Sequence, residues 1–300
     1  MASISAWLVS FRLRTLPLSL STIILGSFLA ASKDNFHWSI FLMAVLTTLF
    51  LQILSNLAND YGDTVSGVDN LERVGPQRSL QSGAITKSQM KRAIIGFTIL
   101  SLASGIGLII VGTQGMKISF GIIYFLLGIS AIIAAMKYTM GRNPYGYSGL
   151  GDVFVFIFFG IVGVMGTYFL HTHQLSSLEL LPAFTIGCFS TGVLNLNNLR
   201  DRKNDEAFGK RTIVVKLGLK NAKIYHAILL GSGIIFSIIY TLYTQTSIFN
   251  WIYLIAFIGI IRSIIVVFKV ESPELLDPEL KKLAISTLLF SVLFGWGLIA

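Results

Sequence analysis

Charge is scarce in this chain: Asp, Glu, Lys and Arg together make up 12% of its 300 residues, against 54% hydrophobic ones. With a mean hydropathy of +0.75, such a composition excludes an ordinary soluble globular domain. Only one cysteine, Cys188, is present. A disulfide framework is therefore excluded, and Cys188, inside an apolar run, reads as a small buried side chain. Six prolines, no low-complexity tract and no long polar linker argue against separate soluble domains. Nothing in this composition suggests a nucleic-acid partner. One membrane-embedded domain over 1–300 is expected, an integral membrane protein with lipid as its surroundings.

What is present is a series of long apolar runs. About 20 apolar residues are needed to cross roughly 30 Å of hydrocarbon. Windows of that kind fall at 16–31, 38–57, 93–112, 118–136, 153–170, 180–199, 224–243, 249–268 and 283–300. The fold class is therefore all-α, a polytopic bundle of about nine transmembrane helices. Arg12 and Arg14 before the first run give it the look of a signal peptide, but with eight further spans it reads as a retained helix. All but three of the 23 Lys and Arg residues lie at the N-terminus or in the loops after spans two, four, six and eight. The positive-inside rule then puts the N-terminus and those loops in the cytoplasm and the C-terminus outside, in a multi-pass protein of the inner, cytoplasmic membrane. Loops 60–92, 137–152, 200–223 and 269–282 would cap one face. Most of their basic residues read as topology signals and lipid-headgroup contacts.

Half of the 14 acidic residues sit in two stretches, both on that face: Asp60, Asp63, Asp69 and Glu72 in one, Asp201, Asp205 and Glu206 in the other. Carboxylates near the end of an apolar helix are costly unless a cation meets them. Asn56, Asp60 and Asp63 stand at i, i+4 and i+7 and so share one helical face. Asn197, Asp201 and Asp205 repeat the step of four. Asp and Asn oxygens unaccompanied by Cys or His are hard ligands and favour Mg2+ over zinc or copper. Two such faces across a cavity would hold metal ions together with a polyanion such as a diphosphate. Arg73, Arg78, Lys87, Arg202, Lys203, Lys210 and Arg211 are the cations nearest to its oxygens. The apolar walls below would take a lipid tail. One Asp at a helix end reads as a cap or a solvated terminus, but two clusters on one membrane face read as a site.

Four stretches carry a resemblance: RLRTLPLS at 12–19, NLANDYGDTVSGVD at 56–69, YTMGRNPYGYSGLGD at 138–152 and NNLRDRKNDEAFGKRT at 197–212. The second and fourth, with LERVGPQRSLQSGAIT at 71–86, resemble the paired Asp-rich motifs of the UbiA superfamily of intramembrane prenyltransferases. Together the four are similar to its MenA type, which acts on 1,4-dihydroxy-2-naphthoate. The resemblance implies a helical bundle around a central cavity. It implies transfer of a polyprenyl group from polyprenyl diphosphate to that acceptor, with loss of CO2 and diphosphate, giving demethylmenaquinone.

Carried over residue by residue, the resemblance gives Asn56, Asp60 and Asp63 to one Mg2+ and Asn197, Asp201 and Asp205 to a second, the four Asp being catalytic. Asn59 precedes Asp60 as in the family's Asn-Asp pair. Asp69 stands six residues after Asp63, where the family often has an Asp at four, and is left outside the ligand set. Tyr138 and Arg142 resemble a Tyr-x-x-x-Lys/Arg element near the diphosphate, and Arg78 and Lys210 occupy positions suited to its oxygens. Arg262, inside span eight, is the candidate for the acceptor carboxylate, with snorkelling to the interface as the alternative. His171 and His173 read as interfacial, Asp152 as a helix cap, and Tyr145 and Tyr147 as belt aromatics. Two alternatives stay open. One is a different aromatic acceptor such as 4-hydroxybenzoate. The other is a cation-coupled transporter, whose acids would lie near the bilayer midplane beside broken helices.

Overall fold

The computed structural model describes residues 2–69 and 77–300 and is all-helical, without strands, among those residues. Nine helices among them are long and apolar enough to cross a membrane. They are α1 (Ile4–Ala31), α2 (Trp38–Val65), α3 (Lys87–Gly112), α4 (Ile118–Lys137), α5 (Gly151–Thr172), α6 (Leu180–Ala207), α7 (Ile213–Thr244), α8 (Ile248–Lys269) and α9 (Pro273–Ile299). The protein is a multi-pass membrane protein.

Local chemistry sets several of the ends. Thr86 closes a capping box with Gln89 ahead of α3, and the Thr212 hydroxyl accepts from Val215 N at 3.3 Å ahead of α7. Both satisfy amides that the first turn leaves free. Three helices depart from regularity within their length, while α8 and α9 open on 3-10 turns. Arg12, at φ 50°, breaks α1. Gly218, at φ 71°, kinks α7 after its first turn. The middle of α5, Phe156–Met165, is a π-helix.

The expected spans 38–57 and 180–199 end too early. In the structure α2 runs to Val65 and α6 to Ala207. A hydropathy window stops at the first carboxylates, whereas the backbone continues because those carboxylates are paired with cations. The first helix likewise starts at Ile4, ahead of the expected 16–31.

The bundle is organised on α6, whose most apolar window is 72% buried, compared with 11% for α4. Helix α6 packs against α5, α7 and α9, and α9 packs against α1. Leu196, Leu199, Val214, Leu230, Leu283 and Phe290 belong to the larger core. A smaller core joins Leu54 and Leu57 of α2 to Ile85 and Met90. The outer faces of α3 and α4 present Ile95, Ile99, Ile110, Ile122 and Leu126 outward, as helices that meet lipid do. The end of α2 and the end of α6 thus arrive at the same end of the bundle, where Asn204 Nδ2 donates to Val68 O at 3.0 Å.

Candidate active site

At that end lies a polar cleft of about 330 Å3, part of it open to solvent. It is lined by Arg12, Asn59, Asp63, Val68, Asp69 and Arg78 on one side and by Tyr138, Asn197, Asp201, Asn204, Asp205 and Lys210 on the other. Both Asn/Asp stretches contribute.

Each half positions its side chains by its helix end. Gly209, at φ 74°, closes α6 with a left-handed turn in which Gly209 N donates to Glu206 O at 3.2 Å and Lys210 N to Asp205 O at 2.8 Å. This Schellman pattern folds the chain back on itself. It sets Lys210 Nζ 3.5 Å from Asp205 Oδ1 and 4.0 Å from Asp63 Oδ1. Lys210 also sits over the Tyr147 ring, 5.4 Å from its centroid. Burial would lower the Lys210 pKa, but Asp63 and Asp205 outweigh it and push the pKa up. Lys210 is therefore held as a cation. On α2, Gly62 comes so close to Thr139 that an added Cβ would lie 2.5 Å from its carbonyl oxygen. That approach brings Tyr138 to the cleft. Enclosure pushes the Tyr138 pKa up, while Lys210 pulls it down; the phenol keeps its proton.

The arginines form two networks. Arg12 Nη2 and Arg78 Nη1 both donate to Asp60 Oδ1. Arg78 also reaches Asp69 at 3.2 Å and Asp63 at 3.8 Å. In the other half, Arg200 forks onto both oxygens of Asp201 at 2.8 and 2.6 Å and donates to Asn197 Oδ1 at 2.9 Å. Arg200 further donates to Asp277, which Arg14 contacts at 3.0 and 3.1 Å.

The expected site residues therefore separate. Asp63, Asn197, Asp201, Asp205, Arg78, Tyr138 and Lys210 line the cleft. Asp60 lies behind it, against Arg12 and Arg78. Asn56 turns to the N-terminal segment, its Nδ2 donating to Phe11 O at 2.9 Å and Thr15 Oγ1 at 3.0 Å; Asn59, one turn on, faces the cleft instead. Arg142 is exposed and does not line the cleft. Arg262 is half exposed and pairs with Glu279 at 3.2 Å. Glu72 and Arg73 lie outside the described residues.

Three expectations are corrected. Tyr147 is no belt aromatic: its hydroxyl donates to Asp63 Oδ1 at 2.8 Å. Asp152 is not the cap of α5. Leu150 holds that position, and the Asp152 carboxylate accepts from Tyr225 Oη at 3.2 Å. His171 is buried, not interfacial, with its ring nitrogens taken by Ser27 Oγ at 3.2 Å and His37 N at 3.1 Å. Sequence reasoning missed Arg12, Arg200 and Tyr147 as site residues. Arg200 had the plainest signal, being the immediate neighbour of Asp201.

Among the described residues no group of three or more His, Cys, Asp or Glu converges closely enough to hold an ion unaided, because the carboxylates are drawn toward guanidinium and ammonium groups. The donor set nevertheless fits a hard cation. Asn59 Oδ1 and Asp205 Oδ2 are buried at the cleft without hydrogen-bond partners, and every ligand candidate offers oxygen.

An all-helical membrane bundle with an Asn-, Asp- and Arg-lined cleft at one end is the class that this geometry defines. The chain belongs to the UbiA prenyltransferase family, whose profile matches residues 19–297. The 1,4-dihydroxy-2-naphthoate octaprenyltransferase of Escherichia coli (strain K12) is 42% identical to it, over 98% of this chain and 94% of the relative. The enzyme of the same name from Haemophilus influenzae is 40% identical, over 98% of this chain and 95% of its own length. Two solved folds are similar. A UbiA homolog from Aeropyrum pernix K1 superposes with a TM-score of 0.69 at 17% identity, covering 96% of this chain and 98% of its own. A UbiA homolog from Archaeoglobus fulgidus bound to DMAPP and Mg2+ does so with a TM-score of 0.64 at 18% identity, covering 98% of each chain.

Proposed function

We propose that the protein transfers a polyprenyl group from polyprenyl diphosphate to 1,4-dihydroxy-2-naphthoate, releasing CO2 and diphosphate and giving demethylmenaquinol, the reduced form of demethylmenaquinone. The observation that carries the reading is the meeting of both Asn/Asp stretches with Arg78 and Lys210 in one cleft at the end of an apolar bundle. The naphthoate octaprenyltransferases similar over nearly the whole chain support the choice of acceptor.

Two Mg2+ ions are the proposed cofactors. Asn59, Asp63 and Asp205, with Asn197 and Asp201, are the residues on the cleft that would hold them. When bound, the ions neutralise the diphosphate and make it a better leaving group. The chain supplies the rest. Lys210, kept cationic by Asp63 and Asp205, and Arg78 offer charge-assisted donors to diphosphate oxygens. The neutral Tyr138 hydroxyl offers a further donor. Tyr147 orients Asp63 through its hydrogen bond. The helix walls beneath the cleft exclude water from the electron-deficient prenyl carbon until the acceptor ring attacks.

The chain is one membrane-embedded domain in this reading. Segments 60–92, 137–152, 200–223 and 269–282, helix ends included, lie on the cytoplasmic side of the inner membrane in this reading, with the N-terminus inside and the C-terminus outside. The concentration of Lys and Arg at the cleft end supports that orientation.

Mass spectrometry of products formed by the purified protein tests the reading, using 1,4-dihydroxy-2-naphthoate and 4-hydroxybenzoate as competing acceptors with a series of prenyl diphosphates. Prenylated naphthoquinol, or the quinone it gives on oxidation in air, is expected. Prenylation of 4-hydroxybenzoate alone would move the assignment to the other acceptor, and cation-driven uptake into liposomes without any lipid product would favour a transporter.

A further inference from the structure

Asn197 and Asp201 are both engaged by one side chain, that of Arg200. Arg200, whose side chain is fully buried, donates through Nε and Nη2 to both Asp201 oxygens and through Nη2 to Asn197 Oδ1. Those are the oxygens that the proposed function gives to a divalent cation. By contrast, Asn59 Oδ1 and Asp205 Oδ2 have no hydrogen-bond partner to surrender. A cation and a guanidinium cannot both take full hold of the same lone pairs, and their like charges repel.

The remaining contact of Arg200, through Nη1, goes to Asp277, where α9 passes from its opening 3-10 turn, Pro273–Leu276, into regular α-helix. Asp277 has two oxygens within 3.1 Å of Arg14 Nη1, so α1 steadies it from the other side. A buried guanidinium that loosened its grip on Asp201 would be stranded at high cost unless another carboxylate kept it.

We propose that Arg200 is a positioning residue that competes with a divalent cation for Asn197 and Asp201, and that Asp277, steadied by Arg14, is the anchor that lets Arg200 yield. The inference rests on the reading that the cleft takes a divalent cation with diphosphate, and it assigns a regulator of affinity to that half of the site. It gives opposite signs for two substitutions. Losing Asp277 leaves Arg200 with Asp201 as its only carboxylate among the described residues and weakens cation binding. Losing Arg200 removes the competitor and strengthens it.

The test is Mn2+ binding to the detergent-solubilised full chain in the presence of inorganic diphosphate, read from the electron paramagnetic resonance of free Mn2+. Asp277→Asn is expected to bind about tenfold more weakly, the scale of one charge-assisted hydrogen bond. Asp277→Glu, which keeps the anchor, should stay close to the parent, and Arg200→Gln should bind more tightly. A purely structural role for Asp277 would lower the unfolding temperature of Asp277→Asn and leave its Mn2+ affinity unchanged, which overturns the proposal. Weaker binding by Arg200→Gln overturns it as well. Should Arg200→Gln not fold, the Asn and Glu variants at 277 still decide. A parent protein that binds no Mn2+ with diphosphate would sink the metal reading itself, a different result from parental binding that ignores Asp277.

Discussion

The two halves of the cleft carry similar runs of Asn, Asp and Asp, at i, i+4 and i+7 in one and at i, i+4 and i+8 in the other, yet they neutralise their acids in different ways. Asp60 is met by Arg12 and Arg78, which are 48 and 18 residues away in sequence. Asp201 is met by Arg200, its neighbour on the same helix. The first half therefore depends on the N-terminal segment and on Arg78, both distant in sequence. The second rests on a contact between neighbours on α6, which Asp277 and Arg14 tie to α9 and α1. Similar spacing in sequence does not mean equal dependence on tertiary structure.

The strongest way to break the contrast is at the acids the two halves share. Asp63 and Asp205 both face Lys210, so they act as a unit across the cleft. Asp63→Ala and Asp205→Ala are each expected to lower diphosphate release about 10²–10³-fold, the scale of removing one preorganised electrostatic group. The double variant should fall little below the worse single one, because groups in one network are not additive. Near-parental turnover by either single variant would confine the chemistry to one half.

A second test sharpens the difference in assembly. Arg78 serves Asp60, Asp63 and Asp69 at once and is 9% exposed. Arg78→Ala should destabilise the protein by about 3 kcal/mol, because buried carboxylates lose their counter-charge. Arg12→Ala should cost less, since Arg78 still faces Asp60. Thermal unfolding in detergent compares the two. The ranking would be reversed if Arg12, and not Arg78, is the main counter-charge of the first half.

Much of the fold was legible because its signal is local: apolar runs long enough to span a membrane are visible without any knowledge of packing. All nine spans were placed, and errors gathered at their ends. There the acids of 58–65 and 200–207 look like loop to a hydropathy window yet remain helical. The site was legible at Asp63, Asn197, Asp201 and Asp205, where helical spacing alone selects the face. It was less so at Asn56, because i, i+4 and i+7 span an arc wide enough for Asn56 to turn toward Phe11 O while Asn59 takes the cleft. Tyr147 and Arg12 were not readable as site residues, since only the packing of distant segments brings them to Asp63 and Asp60. Arg262 shows the converse: a charge inside an apolar span suggests function, and here its partner Glu279 lies on the adjoining helix α9.

The smallest expected effect concerns the two helix ends. Gly67 after α2 and Gly209 after α6 have φ of 78° and 74°, and neither has any atom within 4 Å of an added Cβ. Alanine at either position should therefore cost only the backbone penalty, about 1 kcal/mol, and the two unfolding midpoints should shift alike. Their effects on turnover should not match. The turn at Gly209 places Lys210, which reaches acids of both halves, whereas the turn at Gly67 leads to Val68, whose carbonyl holds Asn204. Gly209→Ala should lower turnover more than Gly67→Ala, and Gly209→Asn should recover part of the loss, because Asn tolerates the left-handed conformation better than Ala does. Equal losses at the two glycines would mean that Lys210 reaches its place without the turn, and that the second half owes less to its own helix than the contrast with the first implies.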